Sequence, residues 1–338
     1  MSVFGSEEVI TEHISEADLR AYFVGFDFGK YRLDDLLNIL MDVLVDFVFG
    51  FHEGIKQTYT RKILKEAAQS LYKIEVFKQS KKTYLENNGE YEDDIQEKYL
   101  KRGEFGELIL HLILRDFINT VPLVSKIYFK DSDGITVHGF DAIHIGPNLR
   151  KSDCSSIYLG ESKLYKDGKK GVEALLNDIE EHFTKDFLKR EFMLIGKKKN
   201  AFLKLEEYID LNTKDQYEEF LRQKEYWFDE LDRVANQNGK LQDLFSSVTI
   251  PLLCTYTSEV FSNHTNDENE EFIREYEREI RYLKEIFYNK FKELQKKYKN
   301  SGEPIHSDLN VIVMLFPVPN KSELVKELHR KLSKIQGI

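Results

Sequence analysis

The segment Ser155-Ser-Ile-Tyr-Leu-Gly-Glu-Ser-Lys-Leu-Tyr165 places a carboxylate and an amine at the end of a short apolar run. The run from Ile157 to Leu159 consists of residues that favour a β-strand. Side chains two residues apart on a strand share a face, so Glu161 and Lys163 should project together. The pattern predicts a central, buried strand that carries a charged pair at its end.

A second apolar segment lies upstream and contains another carboxylate. Val137-His-Gly-Phe-Asp-Ala-Ile-His-Ile145 predicts a strand that ends at Gly146-Pro147, and a short turn would bring it beside the first. Asp141 would then lie next to Glu161, and two such carboxylates raise each other's pKa unless a cation lies between them. Mg²⁺ binds one or two carboxylates together with waters and substrate phosphates. The sequence therefore predicts a divalent metal held by Asp141 and Glu161.

The amine of this cluster has a role beside such a metal. Lys163 would lie next to a metal-bound water, where it can orient or activate that water and stabilise charge that develops at phosphorus. The same Glu-x-Lys pattern at a strand end is often only a surface ion pair of little energetic value. The interpretation as a site therefore depends on Asp141 and on the helix that precedes it.

That helix is predicted over residues 102–118. Its sequence, Arg102-Gly-Glu-Phe-Gly-Glu-Leu-Ile-Leu-His-Leu-Ile-Leu-Arg-Asp-Phe117, has apolar residues at helical spacing. Glu104 and Glu107 lie in its first turns, three residues apart, on neighbouring parts of the helix surface. Acidic residues are also favoured at a helix start by the helix dipole alone. The order is an acidic helix, an aspartate on one strand and Glu-x-Lys on the next.

This order resembles the PD-(D/E)xK nuclease superfamily. More narrowly, Arg102-Gly-Glu-Phe-Gly-Glu, His138-Gly-Phe-Asp and Leu159-Gly-Glu-Ser-Lys resemble HamA, the nuclease subunit of the Hachiman anti-phage defence system. The resemblance is clearest over residues 100–165, and Phe140 stands where the superfamily name has proline. It implies a restriction-endonuclease-like α/β core with Asp141, Glu161 and Lys163 as catalytic residues.

The resemblance also implies cofactor and partner. The expected cofactor is Mg²⁺, with Mn²⁺ as a substitute, and the expected partner is the superfamily 2 helicase HamB. A nuclease of this kind is kept silent by the helicase and released when the helicase meets aberrant DNA. A glycine-x-x-x-glutamate pattern in related nucleases selects Glu107 as the helix acid, whereas the helical wheel places Glu104 nearer the apolar face, so both remain candidates.

Composition limits the class of protein. The chain has 338 residues and a net charge of −10, which disfavours tight DNA binding by the chain alone because neutralising phosphates supplies most non-specific affinity. We find no apolar run long enough for a membrane span and no signal peptide, so we expect a cytoplasmic protein. The two cysteines, Cys154 and Cys254, have no metal-ligand spacing and are expected to be reduced.

Strands that alternate with helices predict an α/β sheet. We expect a mostly helical N-terminal extension over residues 1–97, as a partner or DNA contact, and a nuclease-like core with helical insertions over 98–338. Pro251, inside a predicted strand, favours an edge or a bulge. The predicted strands are 19–26, 125–130, 136–145, 156–162, 248–256 and 309–316, and the predicted helices are 33–49, 55–77, 102–118, 168–190, 266–298 and 322–335, with two more over 201–239.

Some residues have competing interpretations. His138 and His144 flank Asp141 at odd spacings, so they should not share its face, and hydrogen-bonded structural roles are favoured over metal binding. Residues 61–82 are rich in lysine and arginine and form the most plausible DNA or partner surface, although a solvated helix face explains them equally simply.

Three functions are compatible with these patterns. The leading one is a metal-dependent deoxyribonuclease of a Hachiman complex. The second is a catalytically silent subunit on a nuclease fold that serves as an interaction partner of a helicase. The third is a metal-free hydrolase that uses paired carboxylates, which would keep full activity in a chelator. The sequence does not decide whether the substrate is DNA or RNA, or whether the enzyme is an endonuclease or an exonuclease.

Overall fold

The computed structural model is a mixed α/β protein with a seven-stranded sheet that carries helices on both faces. A separate two-stranded hairpin lies beside the sheet. No helix in the described part of the chain is long and apolar enough to cross a membrane. The structure describes residues 3–50, 61–71, 103–124, 139–151, 154–196, 214–236, 239–307 and 309–337.

The strands run in the order β1-β2-β9-β8-β7-β6-β5 across the sheet. The pairs β2–β9, β9–β8 and β8–β7 are parallel, and the pairs at the two edges are antiparallel. The strands are β1 (Ile10–Ser15), β2 (Leu19–Val24), β5 (Val121–Val124), β6 (Ala142–Pro147), β7 (Ser155–Tyr165), β8 (Val248–Thr257) and β9 (Asn310–Val318), and β3 (Phe26–Asp27) and β4 (Lys30–Tyr31) form the hairpin.

Ten α-helices are described, and two single-turn 3-10 helices lie at Ser6–Glu8 and Pro304–His306. The long helices follow the predicted periodicity closely. They are α1 (Leu33–Phe49), α2 (Arg61–Leu71), α3 (Glu104–Asp116), α4 (Gly168–His182), α5 (Lys185–Gly196), α6 (Lys214–Ala235), α7 (Leu241–Phe245), α8 (Val260–Asn263), α9 (Glu270–Lys297) and α10 (Lys321–Gln336).

The core is divided by the sheet into two apolar clusters. One face of β7 contributes Ile157 and Leu159 to a cluster with α4, α5, α6 and α9. The other face contributes Tyr158 and Leu164 to a cluster with α1, α2, α3 and α10. The alternation along β7 thus sends its odd-numbered side chains toward α4 and its even-numbered ones toward α3. This division determines where each polar side chain at the end of β7 can point.

The N-terminal strands belong to the same sheet as the C-terminal part of the chain. β2 pairs with β9 through Leu19 opposite Val313 and Ala21 opposite Leu315. The segment 1–97 therefore contributes two strands to the main sheet as well as α1 and α2. The proposed boundary at 97 lies outside the described residues, and the division into two domains stays a prediction.

The prediction for Pro251 was wrong. β8 is a central strand, paired with β9 at Pro251 opposite Ile312 and with β7 on its other side. The registered pairs between β7 and β8 skip the position of Pro251, where the missing N–H would break the ladder. A side chain on Gly160 of β7 would lie 3.3 Å from the proline ring, so the glycine leaves room for the ring inside the sheet.

Two further predictions need correction. The helix predicted over 168–190 is two helices, α4 and α5, and α5 continues to Gly196. α3 was expected to have one apolar face, but its residues from Phe105 to Asp116 are all buried because α1 covers the side that faces away from the sheet. The strand predicted at 125–130, His138 and the basic residues beyond Leu71 up to 82 lie outside the described residues.

Candidate functional site

Asp141 and Glu161 lie side by side at the ends of two adjacent strands. β6 and β7 are antiparallel, with Ala142 opposite Gly160, and the backbone N–H of Asp141 donates to the carbonyl of Gly160 over 2.9 Å. Asp141 immediately precedes β6, and this bond holds it beside the segment of β7 that leads into Glu161. The charges of Asp141 and Glu161 both act on Lys163, so the two carboxylates lie near the same ammonium group. The structure thus brings together the two predicted acids.

Ser162, on the adjacent strand β7, holds the carboxylate of Asp141. Its Oδ2 accepts hydrogen bonds from the backbone N–H and from the hydroxyl of Ser162, each over 2.8 Å. Ser162 is almost fully buried, so these bonds fix the carboxylate in a protected position. The second carboxylate oxygen, Oδ1, takes part in neither bond.

Helix α4 supplies two further polar side chains to the site. It begins after Asp167, whose carboxylate caps the helix by accepting from the N–H of Lys170 over 2.8 Å. Asp178 and His182 are four residues apart, so they lie on one face of the helix. That face points at the end of β7, because α4 packs on β7 and β8.

Lys163 pairs with Asp178. The Nζ of the lysine lies 2.5 Å from Oδ2 of the aspartate, and the two side chains are only 25% and 16% exposed. Burial alone would lower the pKa of Lys163, but the hydrogen bond and the charge of Asp178 outweigh it and raise the pKa above its ordinary value. The negative charges of Glu161 and Asp141 act in the same direction. Lys163 therefore carries a positive charge at neutral pH.

Glu161 pairs with His182. The Nδ1 of the imidazole lies 2.7 Å from Oε1 of the glutamate, which is 4% exposed. Burial lowers the pKa of His182 below its ordinary value. Since an ionised carboxylate can only accept, Nδ1 carries the proton and donates it. The ring also stacks on Phe187 with centroids 4.6 Å apart, which fixes its orientation.

The two candidate helix acids lie in the first turn of α3, on the other face of the sheet. A side chain added at Gly106 would come within 3.1 Å of the hydroxyl of Ser162, so this turn of α3 packs directly against the residue that holds Asp141. Glu107 is buried and Glu104 is partly exposed. The structure brings the start of the helix to the edge of the site and leaves both acids as candidates.

His144 belongs to a separate buried network. Its Nε2 lies 3.1 Å from Nδ1 of His111, and its Nδ1 lies 2.8 Å from the hydroxyl of Thr120. His111 in turn contacts Asp46, which also accepts from Arg115 over 2.7 Å. This network lies on the α3 face of the sheet, away from Asp141. The prediction of a hydrogen-bonded structural imidazole is confirmed for His144.

The donor set at the site restricts the kind of metal that would fit. In the part of the chain that the structure describes, no group of three or more His, Cys, Asp or Glu side chains could hold a metal by itself. Two adjacent carboxylates, Asp141 and Glu161, instead match a hard cation such as Mg²⁺, which keeps several waters and also binds substrate phosphate. A closed zinc cage would need four ligands, which no cluster among the described residues provides.

Ser162, Asp178 and His182 were not predicted as site residues. Their sequence signals are weak: Ser162 lies between Glu161 and Lys163, and Asp178 and His182 have the helical four-residue spacing on the helix that follows the strand. Both signals become meaningful only once α4 is known to pack over the end of β7. The assembled cluster places an ammonium group and three carboxylates within one partly enclosed region.

Comparison with known proteins identifies the family. A search of curated proteins found no match. A family model described as HamA matches residues 3–332. The match covers nearly the whole chain and not only the segment around Glu161 and Lys163, so the resemblance seen in the motifs is confirmed. The chain therefore belongs to the HamA family of Hachiman defence proteins.

Proposed function

We propose that this chain is a metal-dependent deoxyribonuclease, the effector of a Hachiman-type antiviral complex, which a partner helicase of the HamB type holds inactive until it senses aberrant DNA. The observation that carries the proposal is the convergence of Asp141, Glu161 and Lys163 at the ends of two adjacent strands. Membership of the HamA family supplies the biological setting.

Asp141 and Glu161 would hold Mg²⁺ or Mn²⁺. When bound, such an ion supplies Lewis-acid chemistry and a water of lowered pKa. Ser162 restrains Asp141 through two hydrogen bonds, and His182 restrains Glu161 through one. Restrained carboxylates lose little conformational freedom on binding a cation, which favours a preorganised site.

Lys163 would act as a fixed positive charge. Its pKa is raised, so the group is an ammonium at neutral pH and cannot serve as a general base in this state. Its task is then to orient the attacking water and to stabilise negative charge that grows on the phosphoryl oxygens. Asp178 acts through Lys163 as a positioning residue, because it holds the ammonium at the end of β7.

The role of the helix acid is narrower. Glu104 or Glu107 would act from the outer part of the site, through the water shell of the metal, since the first turn of α3 packs against Ser162. Replacing each by glutamine separately tests the assignment: replacing the true helix acid should lower the cleavage rate, and replacing the other should leave it unchanged. Because Glu107 is buried, melting curves must show that Glu107→Gln is folded.

The acidic character of the chain supports dependence on a partner. A net charge of −10 opposes stable binding to DNA by the chain alone. A DNA-bound helicase would raise the local concentration of substrate near the site and remove the need for a large basic surface.

A second function has its own supporting observation. Both motif side chains are already engaged in this structure, Lys163 by Asp178 and Glu161 by His182. That arrangement is expected of a restrained nuclease, and it also suits a catalytically silent subunit that stabilises a helicase complex. Activity measurements separate the two.

The test is cleavage of supercoiled plasmid by the purified chain, alone and with its helicase and ATP, in Mg²⁺, in Mn²⁺ and in EDTA. We expect cleavage with metal only, lost in Glu161→Ala and in Asp141→Asn. Glu173→Ala is the matched control, because Glu173 is a partly exposed carboxylate on α4 that pairs with Lys290. Cleavage that persists in EDTA would support a metal-free hydrolase, and no cleavage in any condition would support the silent subunit.

A further inference from the structure

The hairpin formed by β3 and β4 presents an aromatic side chain to solvent. Phe28 lies at its tip and is 99% exposed, the most exposed large apolar residue in the described part of the chain. Phe28 and Gly29 both have positive φ, 46° and 76°. Tight hairpin turns of this kind favour Asn-Gly, and a bulky residue at positive φ is a rare, strained choice. Neither burial nor backbone preference explains phenylalanine at this position.

The hairpin packs against the residues beneath it. Phe26 and Tyr31, on the two strands, pack against the ring of Phe261 at 6.1 and 5.6 Å between centroids. The N–H of Phe26 donates to Oδ1 of Asp267 over 2.8 Å. A side chain at Gly25 would overlap this same aspartate, so the glycine permits the close approach. Phe28 therefore lies at the tip of a hairpin that is fixed by packing and a hydrogen bond.

The surroundings of Phe28 are acidic. Within residues 25–35 and 264–274, the exposed lysine and arginine side chains are Lys30 and Arg274, and the partly exposed Arg32 is paired with Asp35. Such a surface repels a phosphate backbone and attracts a protein surface with basic groups. The exposed acids in these segments are Asp27, Asp34, Glu268, Glu270 and Glu271.

The hairpin lies beyond the edge of the sheet toward which the strand of the candidate site also runs. β2, which leads into the hairpin, runs parallel to β9, β8 and β7, so all four strands end at one edge. Three strand spacings separate β2 from β7, which corresponds to about 15 Å across the sheet. Along the strands, the register aligns Glu161 with Leu19, five residues before β2 ends at Val24, so the hairpin begins about 16 Å further along the strand direction. A protein seated on Phe28 would therefore contact a surface separate from Glu161 and Lys163.

We propose that Phe28 is the anchor of a protein-docking surface, which inserts into an apolar pocket bordered by basic side chains on the partner. A large aromatic anchor surrounded by polar groups is the usual form of an interface hot spot. The identification of this partner with the helicase rests on the proposed function.

The test measures binding of the full chain to the helicase with Phe28→Asn and with Tyr282→Ala. Asparagine tolerates positive φ, so Phe28→Asn should keep or raise the melting temperature while it weakens helicase binding about 10-fold or more. Tyr282 is a 55% exposed aromatic on α9 and serves as the matched control, with binding unchanged. The charge reversal Glu268→Lys should also weaken binding, and added salt should weaken the wild-type complex.

Several results would overturn the inference. Equal helicase binding by wild type and Phe28→Asn would remove Phe28 from the interface. A fall in melting temperature for Phe28→Asn would assign Phe28 a structural role. Weaker binding to DNA alone, with helicase binding unchanged, would make Phe28 a base-stacking residue. If the wild-type chain fails to bind the helicase, both this inference and the proposed partner fail, while plasmid cleavage still decides the nuclease separately.

Discussion

Replacing Asp46 should strongly destabilise the protein without touching the candidate site. Asp46 lies on α1 and is 1% exposed, and its Oδ2 accepts from Nε of Arg115 over 2.7 Å and contacts Nε2 of His111 at 3.0 Å. Arg115 is 2% exposed, so the Asp46→Ala change leaves a buried guanidinium without its counter-charge. Removing one member of a buried ion pair costs about 3–5 kcal/mol.

The assay is urea-induced unfolding followed by circular dichroism at pH 7. We expect Asp46→Ala to lower the free energy of unfolding by about 3–5 kcal/mol. The exposed Asp34, on the same helix, provides the control Asp34→Ala, which should change it by less than about 1 kcal/mol. The double variant Asp46→Leu/Arg115→Met removes both charges and should recover much of the loss, since apolar replacements of buried pairs are often neutral.

The pH dependence of this difference follows from the pKa of Asp46. Burial alone would raise that pKa, but Arg115 and His111 outweigh burial and lower it. A lowered pKa in the folded state gives stability that is present above the unfolded pKa of about 3.9 and is lost as the pH falls through the lower folded value. The difference in free energy of unfolding between wild type and Asp46→Ala should therefore become smaller below about pH 4. A loss under about 1 kcal/mol at pH 7, or a gap independent of pH, would refute this reasoning.

Three further predictions concern other contacts. Burial, with the nearby charge of His111, lowers the pKa of His144, so the free energy of unfolding should fall as the pH drops below about 6.5. In urea unfolding, His144→Gln should make the free energy of unfolding depend less on pH, and an unchanged dependence would contradict this prediction. Gly171→Ala would drive a methyl group into Sγ of the buried Cys254 and should lower the free energy of unfolding by about 1–3 kcal/mol, which Cys254→Ala should restore. A single variant more stable than wild type would show that the methyl group and the sulfur do not meet. Ser162→Ala removes the hydroxyl bond to Asp141 and should cost about 1.5–3 kcal/mol in the same assay, whereas no loss would show that the backbone N–H of Ser162 alone holds the carboxylate.

The local sequence pattern predicted much of the sheet, including β6 and β7, the two strands that carry the candidate site. Alternation along β7 placed Glu161 and Lys163 on one face, and the apolar run around Asp141 predicted β6, which begins just after it at Ala142. These succeed because side-chain period and β-favouring residues are local properties. The HamA resemblance, carried by short motifs within residues 100–165, extended to a family match over residues 3–332.

Features that depend on distant packing could not be predicted in this way. The pairing of β2 with β9 joins residues near the two ends of the chain, and neither segment alone shows which strand it will meet. Asp178 and His182 join the site because α4 packs across the end of β7, which helical spacing does not reveal. Pro251 was misjudged because the accommodating residue, Gly160, lies on another strand.

The most direct measurement is the rate of plasmid cleavage by Lys163→Ala relative to wild type, in Mn²⁺ with the helicase and ATP. The exposed Lys169 on α4 provides the control Lys169→Ala, and matched melting curves show that each variant is folded. If Lys163 stabilises charge at phosphorus, its removal should lower the rate about 10²–10³-fold while Lys169→Ala cleaves normally. Equal cleavage by wild type and Lys163→Ala would contradict the assignment of Glu161 and Lys163 as the active centre.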